Sequence, residues 1–400
     1  MKNFLSEKIK KLPSSSTLAM LEQASILKEK GEKVIDLSLG EPDFKTPAHI
    51  KEDAKKAIDS DNFSNYPPVA GYKDLREKIA LKLKNENNID CSYENIVVSN
   101  GVKQCLTNVL DVIINPGDEV ITFSPYWVSY AANIQLSGGV LIPALGEAQN
   151  SFEPTIDDIK SKISKNTKAI LFSNPSNPTG HVLNKNFLKN LAELIEKNQN
   201  IIIISDEICE YIAFYEKVFS IGSIQNIKDR VITLNGVSKA YAMTGWRIGY
   251  SCSHIDIAKA ITKLQGQTTS APCGISQRAA FSAINSSQNC VKEMMVQYKD
   301  RANFLYDFFS KNTKLQPIKP LGAIYLFLSA KKYLNKKTPS GEIISSAKDI
   351  CIYLLTEAKV ATVSSESFGV NGYIRLSYAK SLEELEKAVT QIAAALKLIV

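Results

Sequence analysis

The chain has 400 residues, of which 44% are hydrophobic, and its formal net charge is +7. At roughly 150 residues per domain this length predicts two or three domains, with enough buried apolar surface to fold without disulfide or metal support. The excess positive charge is spread along the chain, so we expect no nucleic-acid partner, because phosphate recognition needs clustered cations.

The cysteine and histidine content points away from a metal site. Seven cysteines, an odd number without a CxxC pair, accompany three isolated histidines. We therefore expect free thiols and no structural zinc. The N-terminal segment lacks an apolar signal core, and no run approaches the roughly 18 residues needed to cross a bilayer. These features predict a cytoplasmic protein with no membrane partner.

From about residue 95, short apolar segments alternate with longer amphipathic ones. Runs of β-branched residues without polar alternation are typical of parallel strands covered on both faces, and residues 184–197 have the spacing of a helix. The pattern predicts an α/β fold with a mainly parallel sheet between helices. The predicted strands are 96–98, 120–123, 169–172, 201–204 and 231–234.

The last quarter of the chain has a different pattern, with fewer strands set among helices. Strands are predicted at 322–327, 360–363 and 373–377, and helices at 347–357 and 382–396. We group this part with the N-terminal segment. The predicted organisation is a large domain of residues 46–300 and a smaller α+β domain built from residues 1–45 and 301–400.

Each predicted strand of the large domain is followed by a loop rich in glycine, proline, hydroxyl groups or charge. Ligands of open parallel sheets bind at the carboxyl ends of the strands, so we expect these five loops to converge on one site. Ordinary solvated turns would explain any single loop, but they explain all five less well. The loops read SNGVKQ, SPYW, SNPSNPTG, SDEIC and NGVSK.

Two charged residues in these loops are candidates for chemistry. Asp206 follows an apolar run, where a buried carboxylate needs a cation or strong donors; a helix N-cap is the alternative. Lys239 lies in a turn of small residues after the last strand, and a lysine held among apolar groups can lose its proton and form a Schiff base. The alternative is a solvated lysine. Neither a GxGxxG nor a GxxxxGK[ST] motif supports nucleotide binding.

A lysine for an aldehyde, a carboxylate for a ring nitrogen and an arginine for a phosphate together fit pyridoxal 5′-phosphate. The segment 236–249, GVSKAYAMTGWRIG, resembles the pyridoxal-phosphate attachment signature of class I aminotransferases at every constrained position. Further motifs resemble this family in its order from about residue 12 to 396, most closely its bacterial aspartate aminotransferase branch. They are LSLGEPDF, SNYPPVAGYKDLR, SPYWVSY, SNPSNPTG, SDEI and YIRLSYA.

The resemblance implies pyridoxal-phosphate fold type I and gives four residues roles at the cofactor ring. Lys239 would hold the cofactor and move the proton between the substrate Cα and the cofactor C4′. Asp206 would keep the ring nitrogen protonated, Asn177 would donate to O3′ and Trp127 would stack on the ring. An Asn-Pro turn and a core tryptophan are the structural alternatives for the last two.

The resemblance also implies a phosphate site shared between two subunits. Arg247 and Ser238 would hold the phosphate with the backbone N–H groups of Gly101 and Val102, which open a helix. Ser238 could instead cap a turn. Tyr66 would reach the phosphate bound by the neighbouring subunit, which implies a homodimer; its alternative is a buried structural tyrosine.

Besides Trp127 and Asn177, four further residues are implied at the substrate. Arg375 would bind the α-carboxylate through its planar guanidinium, and Gly40 would let the N-terminal segment approach that carboxylate. Lys103 would approach the distal carboxylate of aspartate or glutamate, assisted by Thr17. A solvated lysine in the first turn of a helix is the alternative for Lys103.

One position departs from the family pattern. The family has SDEIY, with a tyrosine that donates to O3′, whereas this chain has Cys209. Losing that donor should raise the pKa of the imine between lysine and cofactor. Tyr211, two residues further on, is a candidate replacement.

The implied function is ping-pong transamination between an L-amino acid, expected to be aspartate, and 2-oxoglutarate. The alternatives within the same fold are an aromatic amino acid or prephenate aminotransferase and a pyridoxal-phosphate lyase acting on sulfur amino acids. A cofactor-sensing regulator without activity is a third alternative. Such regulators carry an added DNA-binding domain, and we expect none here because the segment before the first family motif is short.

Overall fold

The structure, a computed structural model, describes residues 4–10, 12 and 16–400, without the side chains of residues 16–19 and 21. The helices are α1 Glu7–Lys10, α2 Ser16–Glu29, α3 Ala48–Asp59, α4 Lys73–Asn87, α5 Val102–Ile113, α6 Val128–Leu136, α7 Ile156–Lys162, α8 Lys185–Lys197, α9 Ile255–Thr268, α10 Gly274–Asn285, α11 Asn289–Asn312, α12 Ala347–Glu357 and α13 Leu382–Lys397. The strands are β1 Ile35–Asp36, β2 Ile96–Ser99, β3 Glu119–Ser124, β4 Val140–Leu145, β5 Thr167–Ser173, β6 Ile202–Asp206, β7 Val231–Gly236, β8 Gly249–Cys252, β9 Gln316–Ile318, β10 Tyr325–Ser329, β11 Val360–Ala361, β12 Val363–Ser364 and β13 Tyr373–Ser377.

The largest sheet has seven strands in the order β2-β8-β7-β6-β5-β3-β4. All neighbouring pairs from β7 to β4 are parallel, and β8 runs antiparallel to both β7 and β2. Since β2 and β7 both run antiparallel to β8, they point the same way. The carboxyl ends of six strands therefore lie on the same side of the sheet. The predicted mainly parallel sheet is confirmed.

Helices cover both faces of this sheet, which explains why its central strands lack polar alternation. Along β5, Ile170 and Phe172 pack in a cluster with α7 and α8, whereas Ala169 and Leu171 pack on the other face with α5, α6 and α9. Helices α3, α4 and α10 pack against the end formed by β2 and β8. In the described part of the chain, no helix is both long enough and apolar enough to span a bilayer.

The sequence missed two strands of the large sheet. Strand β4 lies at the sheet edge and is mostly half-buried or exposed, so it lacks the continuous apolar signal of a central strand. Strand β8 is only four residues long and contains glycine and serine. The predicted strand 201–204 is shifted: β6 begins at residue 202 and ends at Asp206. No α-helix begins beside Asp206, so its interpretation as a helix N-cap is wrong.

The C-terminal part forms a four-stranded antiparallel sheet in the order β12-β13-β10-β9. The predicted strand 360–363 is two strands, because β11 pairs with β1 near the N-terminus while β12 pairs with β13. The predicted strand 322–327 begins later, at Tyr325, since Ala323 has a left-handed φ of 57° and its N–H bonds to the carbonyl of Ile212.

Candidate active site

Asp206 lies at the carboxyl end of β6 and is 4% exposed. Its carboxylate accepts hydrogen bonds from the Tyr130 hydroxyl at 2.9 Å and from the backbone N–H of Ile208 at 3.3 Å. Burial raises the pKa of this carboxyl to about 6, even though both hydrogen bonds favour its charged form. No lysine, arginine or histidine of the described residues lies within ion-pair distance of it.

Lys239 follows β7 in the neighbouring loop and is partly buried. Its amine donates a hydrogen bond to the carbonyl oxygen of Gly40, in the N-terminal segment. Burial lowers the pKa of the amine, and the positive charges of Arg375 and Arg247 act in the same direction. The lysine is therefore enclosed in the site and is easier to deprotonate than a solvated lysine.

Arg375 approaches from the C-terminal sheet and is 3% exposed. Its guanidinium donates to Asn177 Oδ1 at 3.0 Å and to the Ser38 carbonyl at 2.6 Å, while its Nε has no partner among the described residues. Burial lowers its pKa. Because these partners are neutral, the positive charge of Arg375 is not balanced by a carboxylate of the described chain.

A cradle without side-chain bulk lies at the start of α5. Gly101 has a φ of 80°, and a β-carbon placed on it would lie 2.3 Å from a guanidinium nitrogen of Arg247. That guanidinium donates to the carbonyls of Asn100 at 3.2 Å and Thr244 at 2.9 Å. The Gly101 N–H already donates to Ser99, whereas Val102 lies in the first turn of the helix. A helix start beside a guanidinium is an arrangement that suits an anion.

Trp127 and Lys103 lie together at the mouth of the site. The Lys103 amine is 5.2 Å from the centre of the Trp127 ring, and the ring meets Tyr130 edge-on at 5.6 Å. Partial burial and the charge of Arg247 lower the pKa of Lys103. Although Lys103 is an exposed residue, its amine rests against an aromatic ring beside the buried groups.

Two predicted site residues are not brought together with these groups by the described chain. Tyr66 is 95% exposed within its own chain, so the alternative of a buried structural tyrosine does not hold there. Thr17 lies on α2, but its side chain is outside the described part of the structure. The Ser238 hydroxyl has no hydrogen-bond partner among the described residues, although the residue is buried beside Lys239.

Cys209 is 3% exposed, and burial raises the pKa of its thiol to about 12. Tyr211 does not reach the site, because its hydroxyl donates to Glu86 at 2.5 Å and its ring faces Lys82. Tyr211 is therefore not a replacement for the missing tyrosine in this structure.

Tyr325 is a site residue that the sequence analysis missed. Its hydroxyl accepts a hydrogen bond from Asn177 Nδ2 at 3.4 Å, and the Arg375 guanidinium lies 4.6 Å from its ring centre. A β-carbon on Gly40 would lie 2.0 Å from this hydroxyl. Phe327 pairs with Arg375 across two strands, so Tyr325 is its diagonal neighbour. Only the strand register brings them together.

These groups test whether pyridoxal 5′-phosphate fits the site. The amine, the buried carboxylate and the glycine-lined anion cradle lie at the same edge of a mainly parallel sheet, and neither Asp206 nor Arg375 has a partner of opposite charge among the described residues. A cationic ring nitrogen suits the first and a substrate carboxylate suits the second. The fold and the site are those of a pyridoxal-phosphate enzyme of fold type I.

Comparison with known proteins gives the family. The family model of aminotransferase class I and II matches residues 32–392. A probable aspartate/prephenate aminotransferase of Rickettsia conorii is 41% identical over 392 residues, covering 98% of both chains. An aspartate aminotransferase of Bacillus sp. strain YM-2 is 38% identical over 396 residues, covering 98% of this chain and 99% of that one.

Comparison with solved structures points to the same family. The aspartate aminotransferase of Rhizobium meliloti superposes with a TM-score of 0.96 at 34% identity and full coverage of both chains. The Thermus thermophilus aspartate aminotransferase with maleate superposes with a TM-score of 0.92 at 34% identity, covering 99% of this chain and all of that one. The chain belongs to the class I and II aminotransferase family and is a pyridoxal-phosphate-dependent aminotransferase.

Replacing Asp206 with asparagine should stabilise the cofactor-free protein above pH 6. The folded protein holds the Asp206 proton to a higher pH than the unfolded chain, so stability falls as the pH rises from about 4 to 6. The asparagine side chain would carry no charge, and we expect a gain of about 3 kcal/mol at pH 8 that shrinks towards pH 4. Urea unfolding of the cofactor-free protein at several pH values measures it.

The exposed Asp300→Asn variant is the control and should change stability by less than about 0.5 kcal/mol at every pH. An Asp206→Asn protein that is less stable than the wild type at pH 8 would contradict the assignment of an unpaired buried carboxylate.

Proposed function

We propose that this aminotransferase moves the amino group between L-aspartate and 2-oxoglutarate in a ping-pong reaction. The observation that carries the proposal is the partly buried amine of Lys239, which feels the charges of two buried groups, the Asp206 carboxylate and the Arg375 guanidinium. Relatives named aspartate aminotransferase and aspartate/prephenate aminotransferase, each similar over 98% of this chain, support the choice of substrates.

When bound, the cofactor supplies an aldehyde that accepts the amino group and a ring that withdraws electrons from the substrate Cα. Lys239 would hold the cofactor covalently, and Asp206 would hold a proton on the ring nitrogen. The Tyr130 hydroxyl, which already donates to Asp206, orients that carboxylate. Asn177 and Trp127 would fix the ring, and the phosphate would lie at the start of α5.

Three further residues would hold the cofactor phosphate. Arg247, against Gly101, supplies the fixed positive charge, and Val102 supplies a helix N–H group. Ser238 would add a hydroxyl donor, which suits a buried hydroxyl with no partner among the described residues. These contacts would anchor the cofactor phosphate independently of Lys239.

Lys239 would also act as the proton carrier. A lysine in water is almost fully protonated at neutral pH, whereas burial beside two arginines lowers the pKa of this amine. The free amine can accept the proton from the substrate Cα and return it at the cofactor C4′. The carbonyl of Gly40 accepts a hydrogen bond from the amine and holds it towards the N-terminal segment.

The substrate α-carboxylate would be bound by Arg375. Asn177 holds one guanidinium nitrogen and Ser38 another, so the planar group is already fixed before the substrate arrives. The Tyr325 hydroxyl accepts from Asn177, and its own proton has no acceptor among the described residues, so Tyr325 can donate to the same carboxylate. Gly40 lacks the side chain that would exclude it.

The distal carboxylate of aspartate or glutamate would lie near Lys103. Its amine lies over the Trp127 ring, which places one positive charge at the mouth of a site whose other cation, Arg375, is reserved for the α-carboxylate. The Thermus thermophilus relative was solved with maleate, a dicarboxylate. Thr17 is proposed to assist, although its side chain is outside the described residues.

Prephenate is the second candidate amino acceptor, because the Rickettsia conorii relative is named for both aspartate and prephenate. Prephenate, like aspartate, carries a second carboxylate that Lys103 could approach. The relatives' names favour transamination over a lyase reaction on sulfur amino acids. Measuring amine transfer from aspartate to prephenate and to 2-oxoglutarate separates the two acceptors.

We further propose a cytoplasmic homodimer with shared active sites. The 95% exposed Tyr66 is free to reach the phosphate of a neighbouring subunit. The seven cysteines are free thiols, as is usual in the cytoplasm.

We also propose a division into a large domain, residues 46–300, and a small domain, residues 1–45 with 301–400. Pairing of β1 with β11 and the separate four-stranded sheet support it.

Trapping with borohydride tests the proposed function directly. Reduction of the loaded enzyme should fix pyridoxal phosphate to the peptide that contains Lys239, and peptide mass mapping should locate it there. The Lys239→Ala variant should give no adduct and less than about a thousandth of the wild-type rate, since covalent and proton-transfer roles are lost together. An adduct on another lysine would falsify the assignment.

Lys103→Met should lower kcat/KM for aspartate and glutamate by about 10- to 100-fold, the loss expected for one hydrogen bond to a charged group. Methionine keeps the apolar stem against Trp127, so turnover of alanine or phenylalanine should change little. Lys332→Met, at an exposed lysine, is the matched control. An equal loss for alanine would show that Lys103 does not select the distal carboxylate.

Cys209→Tyr should lower the pKa at which the absorbance of the bound cofactor titrates. The added phenol would donate to the cofactor O3′ and favour its deprotonated form. Cys209→Phe adds the same ring without the hydroxyl and should leave that pKa near the wild-type value. If the tyrosine and phenylalanine variants titrate alike, the missing donor has no effect.

A further inference from the structure

A cavity lies at the side of the large sheet opposite to Lys239, where the parallel strands begin. Its volume is about 210 Å³, and its lining includes Asn95, directly before β2, the first residues of β7 and the last residue of β8. Two of the seven cysteines, Cys91 and Cys252, line it together with Lys228, Asp229 and His254. Neither cysteine has a part in the transamination proposed above.

Local backbone contacts fix the two cysteines beside one another. Cys252 ends β8 and pairs with Ile96 of β2. The Asn95 carbonyl accepts from the Ser253 N–H at 3.1 Å, and the Asn95 amide donates back to the Ser253 carbonyl at 2.9 Å. Asn95 Oδ1 also accepts from the N–H of Ser92 at 2.9 Å. The segment that carries Cys91 is thus tied to the end of β8, and Cys91 and Cys252 line the same cavity.

The two thiols differ in exposure and in acidity. Cys91 is half-buried, and its interaction with the Cys252 thiol lowers its pKa, against the opposing effects of burial and of Asp90. Cys252 is 5% exposed, and its interaction with the Cys91 thiol, together with burial, raises its pKa well above the ordinary value. Cys91 is therefore the thiol that an oxidant reaches first, with Cys252 as an adjacent second thiol.

Three other cysteines lack this combination. Cys105 and Cys351 are fully buried, and burial raises the pKa of each thiol to about 12. Cys273 is exposed and lies at the start of α10, outside the lining of this cavity.

We propose that Cys91 and Cys252 form a peroxide-sensitive thiol pair that closes reversibly to a disulfide. The Cys91 thiolate attacks one oxygen of hydrogen peroxide, the O–O bond breaks, and Cys91 becomes a sulfenic acid while the leaving hydroxide takes up a proton to give water. The Cys252 sulfur then attacks the Cys91 sulfur and releases a second water. The two thiols lose two electrons and peroxide gains two. A dithiol reductant reverses the reaction.

Peptide mapping of the oxidised holoenzyme tests this proposal. The reduced enzyme is treated with a small molar excess of hydrogen peroxide, blocked with N-ethylmaleimide and digested without reduction. We expect one linked pair, the Cys91 peptide with the Cys252 peptide, loss of two titratable thiols, and recovery of both with dithiothreitol. Cys105 and Cys351 should stay reduced. A Cys91 peptide oxidised beyond sulfenic acid, with Cys252 still reduced, would overturn the proposal.

Two variants make the order of events testable. In Cys252→Ser the Cys91 sulfenic acid has no second thiol, so dimedone should label Cys91 strongly, whereas the wild type should show several-fold less label there. Cys273→Ser should form the same link as the wild type. Equal dimedone labelling of Cys91 in the wild type and in Cys252→Ser would contradict the pair. None of these readouts depends on transamination.

Discussion

The site depends on burying charged groups that the described part of the chain leaves unbalanced. Asp206 and Arg375 are 4% and 3% exposed, and their hydrogen-bond partners are a tyrosine hydroxyl, an amide and backbone groups. An unpaired buried charge costs several kcal/mol, so such residues persist where a ligand of the opposite charge completes them. A cofactor with a cationic ring nitrogen and a substrate with a carboxylate are two such ligands.

The parallel sheet is what allows groups so distant in sequence to meet. Its parallel strands end on one side of the sheet, where Asp206 is the last residue of β6. The loops after β2, β5 and β7 bring Gly101, Asn177 and Lys239 to the same side. The C-terminal sheet contributes Arg375, and the N-terminal segment contributes the Gly40 carbonyl. The cysteine pair lies at the opposite edge of the same sheet, so the two sites use different ends of the same strands.

Much of this could be predicted from the sequence, for identifiable physical reasons. The central strands are apolar because both faces are covered, and the motif around Lys239 is long enough to identify the family. Edge strand β4 was not predicted, because its half-exposed residues lack the continuous apolar pattern of the central strands. Tyr325 was not predicted, because its place beside Arg375 depends on how β10 pairs with β13. The prediction for Tyr211 was wrong, because closeness to Cys209 in sequence does not determine where the Tyr211 ring points.

The hydrogen bond between Arg375 and Asn177 joins two separate sheets, since one residue lies on β13 and the other on the loop after β5. A carboxylate bound to both side chains would add a second link between these two parts of the chain. Binding at the site would then stabilise the packing of the C-terminal sheet against the large one. A monocarboxylic acid too short to reach Lys103 would have the same effect.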